Sequence, residues 1–177
     1  MKIAKIITNT TVEGPGKRVA IWTQGCSIRC KGCINKELQD ASKGEEMTAM
    51  EIVNKVKASG LKAVTILGGE PLDQPASIMN LVYRLKLYIP GVEIMLFTGF
   101  EAARAKELLG VITWPAIDII VTGPYDASKP DKRKWIGSTN QEIHRNTKEA
   151  KAYQWPLKKV FELEFSADET GAYVNGL

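Results

Sequence analysis

Apolar residues in this chain gather into short runs that polar residues and glycines separate. Four of these runs have the length and the β-branched content of strands. The predicted strands are residues 19–23, 63–67, 92–97 and 117–121. The first is predicted to be a buried strand that leads directly into a cluster of cysteines.

Amphipathic stretches separate the predicted strands. Thr48-Ala-Met-Glu51 is a capping box that opens a first helix, and Gly60 is its predicted stop. A second helix has to end near Pro90, and a third is predicted for residues 101–109. The apolar stripes of the first two helices are Ala49, Ile52, Val53 and Val56, and Ile78, Leu81, Val82 and Leu85.

Strands that alternate with helices at this spacing predict right-handed βαβ units and a parallel sheet. Ligands of such sheets collect at the carboxyl ends of the strands. We therefore expect the segments after the four strands to lie on one rim. These segments are the cysteine loop, Gly68-Gly69-Glu70, Thr98-Gly99 and Gly123-Pro124. Beyond them the pattern predicts a basic loop at 129–134 and a β-hairpin formed by 159–165 and 172–174.

Composition narrows the class of protein. With 177 residues, 44% hydrophobic and 25% charged, the chain is expected to fold as one domain with its own core. A formal net charge of +4 is too small to predict a nucleic-acid partner. The first residues turn polar too early for an export signal, and no apolar run is long enough to cross a bilayer. We therefore expect a cytoplasmic protein without a membrane partner.

The chain has three cysteines, all within Cys26-Ser-Ile-Arg-Cys30-Lys-Gly-Cys33. An odd number at C-x3-C-x2-C spacing favours a metal or redox site over a disulfide framework. Three thiolates can hold three irons of a four-iron cluster and leave the fourth iron open to a small molecule, which predicts catalysis. Two alternatives stay open: a zinc site completed by His144, the one histidine, or three cysteines that are close only by chance.

Two glycine turns follow predicted strands. In Gly68-Gly69-Glu70-Pro71 the absence of Cβ atoms lets the backbone approach a ligand closely, although an isolated Gly-Gly pair also makes an ordinary tight turn. Glu70 either binds polar ligand atoms or caps the helix that follows. Thr98-Gly99 repeats the arrangement at the next strand, with the same two interpretations.

The cysteine spacing resembles the signature of the radical S-adenosylmethionine (radical SAM) superfamily. The resemblance implies that Cys26, Cys30 and Cys33 hold a 4Fe-4S cluster as metal-ligating and catalytic residues. In that superfamily the open iron chelates the amino and carboxylate groups of SAM. The reduced cluster then cleaves SAM to methionine and a 5′-deoxyadenosyl radical. Gly68-Gly69-Glu70 resembles the superfamily motif whose backbone binds the SAM amino group.

A longer run of motifs resembles the activating proteins of anaerobic (class III) ribonucleoside-triphosphate reductases, a family of glycyl-radical enzyme activases. In chain order the motifs are Gly14-Pro-Gly16, Gln24-Gly-Cys26, Gly32-Cys33-Ile-Asn35, Gly68-Gly-Glu-Pro-Leu72, Thr98-Gly-Phe100, Asp118, Gly123-Pro-Tyr125 and Gly137-Ser-Thr-Asn-Gln141. The resemblance implies an α/β fold that is a partial (β/α) barrel of the radical SAM type with a mostly parallel sheet. It implies one radical SAM domain over 1–177, with a motif-bearing core at 12–146 and an extension at 147–177.

The same resemblance implies the substrates and the partners. SAM would be bound at Gly68, Gly69, Glu70, Thr98 and Asn35. The deoxyadenosyl radical would take a hydrogen atom from a glycine near the carboxyl terminus of the reductase and leave a glycyl radical. A reduced flavodoxin or ferredoxin would supply the electron.

Two departures from the family pattern leave a different glycyl-radical partner open. Ile34 stands where the family often has an aromatic residue or histidine, and the segment after Thr147 is longer than in compact members. Two further hypotheses also stay open: a radical SAM enzyme that acts on a small molecule or ribosomal peptide, and a non-catalytic iron–sulfur or zinc protein. The basic loop at 129–134 and the Gly137–Gln141 turn have two interpretations: they bind a partner or the SAM carboxylate, or they are solvated loops without a binding role. Trp135 is expected to anchor this region by packing on the edge of the barrel.

Overall fold

The computed structural model describes residues 1–157 and the backbone of residues 164–168 and 171–175. Its strands are β1 (Lys2–Thr10), β2 (Arg18–Thr23), β3 (Glu45–Glu46), β4 (Ala63–Gly68), β5 (Glu93–Phe97), β6 (Ile119–Thr122), β7 (Glu142–Arg145), β8 (Glu164–Asp168) and β9 (Gly171–Asn175). Its α-helices are α1 (Ala49–Ser59), α2 (Pro75–Tyr88), α3 (Ala102–Ala116) and α4 (Lys148–Ala152). Two short 3-10 helices, Lys36–Gln39 and Pro71–Asp73, complete the described elements. The predicted α/β class is confirmed.

Seven strands form one sheet in the order β3-β1-β2-β4-β5-β6-β7. The four predicted strands, β2, β4, β5 and β6, are parallel to one another. The flanking strands β1, β3 and β7 pair antiparallel, so the sheet is mixed rather than mostly parallel. The short connection between β1 and β2, residues 11–17, explains why this pair is antiparallel, because a parallel pair needs a crossover of a dozen residues or more.

Both faces of the sheet are covered, which explains why the predicted strands are apolar at consecutive positions. On β2, Val19 and Ile21 pack in the main core together with α1, α2 and α3. Ala20 and Trp22 of the same strand pack in a separate cluster on the opposite face. A third cluster covers that opposite face further along the sheet and comprises Met95, Ile119, Val121, Ile136 and Ala150.

Local signals set most helix ends. The capping box is confirmed, since Thr48 and Glu51 each accept a hydrogen bond from the other's backbone N–H, and Gly60 ends α1 with φ of 71°. All residues of the two predicted apolar stripes are buried. The predicted end of the third helix at residue 109 is confirmed, since helical geometry breaks at Gly110; the helical turns that follow and extend α3 to Ala116 were not predicted. The chain leaves helical geometry only at Gly110 (φ 69°, ψ 174°) and then resumes it.

The predicted hairpin is confirmed in its described part, where β8 and β9 pair antiparallel. Residues 159–163 of that prediction lie outside the described residues. In the described part of the chain, no helix combines the length and the apolar character needed to cross a membrane.

The carboxyl ends of β2, β4, β5 and β6 lie at one edge of the sheet, because these strands run in the same direction. The cysteine loop leaves β2, and the segments 68–70, 98–99 and 123–125 leave the other three strands. The common rim expected from the sequence is therefore confirmed, and it is the place where a ligand of this fold class would bind.

Candidate metal centre and cofactor pocket

The loop after β2 carries three free cysteines, and each of them is partly exposed. The loop is tightly curled, since Arg29 (φ 51°) and Gly32 (φ 84°) both adopt left-handed conformations. The Cys33 N–H donates to the Cys30 carbonyl oxygen at 3.2 Å and closes a turn between the second and third cysteines. This curvature brings all three cysteine side chains to the wall of a single pocket.

Asp73 ties the cysteine loop to the segment after β4. Its Oδ2 accepts from the Ser27 N–H (2.7 Å) and its Oδ1 accepts from the Ser27 hydroxyl (2.6 Å). Ser27 directly follows the first cysteine, so this carboxylate holds the start of the loop against the other side of the site. Sequence reasoning missed Asp73, whose only available signal was its position three residues after Glu70.

Burial raises the pKa of the Cys26 thiol. Backbone N–H groups of Arg29 and Ile28 oppose this effect, while the Glu70 and Asp73 carboxylates add to it. The thiol form is therefore favoured until a cation is near. A bound metal would supply the positive charge that stabilises the thiolate, as metal sites built from cysteine generally require.

Gly68, the last residue of β4, and Gly69 have to be glycines because neighbouring backbone leaves no room for a Cβ. A Cβ at Gly69 would lie 2.1 Å from the Gly25 carbonyl oxygen and 3.0 Å from the Leu38 carbonyl oxygen. Gly68 has φ of 114°, and a Cβ there would lie 2.6 Å from the Thr23 backbone nitrogen. The absence of side chains at these two positions allows the turn to pack closely against the cysteine loop and β2. This packing role of the glycines was not evident from the sequence alone.

Glu70 is buried, with 1% of its surface exposed. Its Oε1 accepts from the Leu72 N–H (2.8 Å) and the Thr98 hydroxyl (2.7 Å), and its Oε2 accepts from the Gly99 N–H (2.7 Å). Burial raises the pKa of Glu70 to about 7, although these three donors favour the carboxylate. The bond to Leu72 confirms the capping interpretation, and the other two bonds join the turns after β4 and β5.

One pocket at the carboxyl edge is lined by all the residues that the resemblance implied for the cluster and for SAM. These residues are Cys26, Cys30, Cys33, Asn35, Gly68, Gly69, Glu70 and Thr98. Sequence reasoning missed Ile28 and Gln39, which also line the pocket and which no motif distinguishes from ordinary loop residues. Tyr125 and Gln141, which the sequence marks only as members of motifs, form part of the wall after β6.

Two basic residues of the 129–134 loop pair with nearby carboxylates. Lys129 pairs with Asp126 at 3.2 Å, and the Arg133 guanidinium binds Asp131. Trp135 packs against the third apolar cluster, which confirms its expected role as an anchor. None of these five residues is among those that line the pocket.

His144 lies on β7, outside the set of pocket-lining residues. Its Nε2 is 3.0 Å from the Thr122 hydroxyl oxygen, and its ring packs at 5.1 Å from the Trp114 ring. Among the residues that the structure describes, no three His, Cys, Asp or Glu side chains stand close enough to hold a single metal ion. Thiolates of a four-iron cluster bind different irons, so they stand farther apart than ligands of one ion.

A comparison with known proteins identifies the class of protein to which this chain belongs. The model of the 4Fe-4S single cluster domain matches residues 12–144, which include the cysteine loop and the rest of the pocket. The chain is also 33% identical over 141 residues to the anaerobic ribonucleoside-triphosphate reductase-activating protein of Enterobacteria phage T4, covering 77% of this chain and 88% of the relative.

Bacterial relatives carry the same name. The protein of Vibrio cholerae is 34% identical over 145 residues, which are 77% of this chain and 92% of the relative. The protein of Escherichia coli strain K12 is 30% identical over 141 residues, which are 75% and 91% of the two chains. The chain belongs to the 4Fe-4S single cluster domain family and to the family of anaerobic ribonucleoside-triphosphate reductase-activating proteins.

Proposed function

We propose that this protein is a radical SAM activase, which binds a 4Fe-4S cluster and SAM in the pocket and makes a glycyl radical on a partner enzyme. The observation that carries the proposal is the pocket itself, where three cysteines lie beside the Gly68-Gly69-Glu70 turn. The names of the relatives support anaerobic ribonucleoside-triphosphate reductase as the partner. We further propose a cytoplasmic location and a reduced flavodoxin or ferredoxin as the electron donor.

The residues present fit a 4Fe-4S cluster. Three thiols, those of Cys26, Cys30 and Cys33, line one pocket, and thiolate sulfur is the donor that such clusters require. Three ligands for four irons leave one iron for a small molecule. The match to a 4Fe-4S single cluster domain supports the cluster, and these three residues are all the cysteines of the sequence.

The proposed SAM-binding positions are Gly68, Gly69, Glu70, Thr98 and Asn35, which line the same pocket. When bound, the cluster would supply one electron that breaks the C5′–S bond of SAM, and the resulting 5′-deoxyadenosyl radical would take a hydrogen atom from a glycine. The two oxygens of Glu70 hold the turns after β4 and β5 in one arrangement.

We assign residues 1–177 to one radical SAM domain of the partial (β/α) barrel type, with a core at 12–146 and an extension at 147–177. The loops after β2 and β6 meet at the rim of this core, since a Cβ at Gly32 would lie 3.2 Å from the Ala127 Cβ.

The test begins with anaerobic reconstitution of the protein with iron and sulfide. Iron and sulfide per chain, 5′-deoxyadenosine formed from SAM and reductant, and the glycyl-radical signal after addition of the reductase are then measured. We expect all three from the wild-type protein and no SAM cleavage from Cys30→Ala. Lys31→Ala is a matched control, because Lys31 is an exposed residue of the same loop. A single ion without sulfide, or a cluster that never cleaves SAM, would contradict the proposal.

A further inference from the structure

Tyr125 stands against two glycines at the edge of the pocket. A Cβ at Gly32, in the cysteine loop, would lie 3.8 Å from Cε1 of the Tyr125 ring. A Cβ at Gly137, in the turn before β7, would lie 2.8 Å from Cδ2 of the same ring. The ring therefore lies beside the cysteine loop at one edge and against a second backbone turn at the other edge.

The residues before Tyr125 are bonded to the 137–141 turn. The Gln141 Nε2 donates to the Gly123 carbonyl oxygen at 3.0 Å, and the Asn140 Nδ2 donates to the Pro124 carbonyl oxygen at 2.8 Å. The amide of Gln141 is thus engaged within the chain, and this side chain acts on the pocket by fixing the loop that carries Tyr125.

The residue after Tyr125 is bonded to the same turn. The Asp126 N–H donates to the Ser138 Oγ at 3.0 Å, and Ser138 is fully buried. The Gly137 N–H donates in turn to the Gln141 Oε1 at 2.9 Å. Since the backbone on both sides of Tyr125 is held, the position of its ring is set before any ligand arrives.

Tyr125 lies where the pocket opens to solvent. Its side chain is partly exposed, and Gly32 and residues 127–130 are exposed. Glu70 and Thr98, by contrast, are 1% and 4% exposed and form the inner part of the pocket. A ligand bound at the inner positions would leave the Tyr125 ring at the entrance.

We propose that Tyr125 positions the glycine-bearing segment of the protein substrate, an inference that rests on the proposed function. Hydrogen transfer breaks one C–H bond of the glycine homolytically and forms one C–H bond in 5′-deoxyadenosine, so the segment has to enter the pocket. Glycine offers no side chain to hold, so its backbone has to pack on a rigid surface. A preset tyrosine ring provides that surface at low conformational cost.

The test compares Tyr125→Ala and Tyr125→Phe with Tyr83→Ala, a control on α2 whose tyrosine is 66% exposed. Each cluster-loaded variant is assayed for the SAM Kd, the KM for the reductase and the ratio of 5′-deoxyadenosine to glycyl radical. Tyr125→Ala should raise the KM roughly tenfold and raise the ratio, with little change in the SAM Kd. Tyr125→Phe should restore most of the loss because the ring is kept.

A second variant covers the case in which Tyr125→Ala loses its cluster. Gly137→Ala keeps the tyrosine but places a Cβ 2.8 Å from its ring, so the ring has to shift and the KM should rise. An unchanged KM in the cluster-loaded variants overturns the role of Tyr125, as does a SAM Kd that weakens in parallel with the KM. A wild-type protein that forms no glycyl radical refutes the proposed function instead, so the two failures are distinguishable.

Discussion

Replacing Gly69 by alanine tests whether the glycine turn supports the cysteine loop. The new Cβ would lie 2.1 Å from the Gly25 carbonyl oxygen and 2.8 Å from its carbonyl carbon. Neither distance is possible between non-bonded atoms, and both neighbours are backbone atoms that no side-chain rotation can move. The turn after β4 and the base of the cysteine loop therefore have to separate.

The magnitude follows from the bonds at this junction. The Glu70 N–H donates to the Gly25 oxygen at 2.7 Å, and the Gly25 N–H donates to the Leu38 oxygen at 2.8 Å. Each buried backbone group left without its partner costs about 1–3 kcal/mol. We therefore expect Gly69→Ala to lower the free energy of unfolding by about 2–5 kcal/mol and to reduce cluster content as well.

The assay is anaerobic urea unfolding of the metal-free, reduced protein, together with iron and sulfide per chain after reconstitution. Gly99→Ala is the matched control in the same pocket. A Cβ there would lie 3.1 Å from Cγ1 of Ile28, a side chain that can move, so we expect a loss below about 1 kcal/mol. Equal stability and equal cluster content in Gly69→Ala and wild type would refute the reasoning.

Three further predictions concern the carboxylates. Asp73→Asn leaves one acceptor oxygen for the two hydrogen bonds that Ser27 donates, so the cysteine loop is held less firmly and we expect fewer irons per chain after reconstitution. An unchanged iron content would show that Asp73 does not anchor the loop. Burial raises the pKa of Glu70 from 4.5 to about 7, so the folded state binds its proton more tightly than the unfolded chain. The contribution of Glu70 to the stability of the metal-free protein should be fully present below pH about 4.5 and be lost, by up to about 3 kcal/mol, as the pH rises through 7. Urea midpoints at several pH values should show this slope in the wild type and a flatter one in Glu70→Gln, and equal slopes would speak against it. Glu93→Gln removes the ion-pair partner that lies 2.6 Å from the buried Arg18, and it should lower the free energy of unfolding by about 3 kcal/mol. Glu107→Gln removes an exposed ion pair with Arg104 and should lower it by less than about 1 kcal/mol. Equal losses of the two variants in urea unfolding would contradict this prediction.

The strands and helices that the sequence predicted correctly are those with strong local signals. The capping box of α1 and the apolar stripes of α1 and α2 depend on residues three or four positions apart, and all of them are found. The strands β1 and β7 were missed because each is stabilised by pairing with a strand from another part of the chain. The break after Leu109 was predicted correctly, but the helical segment that resumes after Gly110 was missed because it has no separate start signal in the sequence.

The cysteine spacing and the order of the motifs were enough to predict a 4Fe-4S domain and the family, because the cysteines of one loop are neighbours in the chain. The sequence by itself determined the thiol set, the parallel strands and the edge at which their loops meet. Only the tertiary structure decided why Gly69 has to be glycine, which three donors surround Glu70, and that Tyr125 lies beside the cysteine loop. Those facts depend on atoms separated by tens of residues, and their distances are set by how the whole sheet packs.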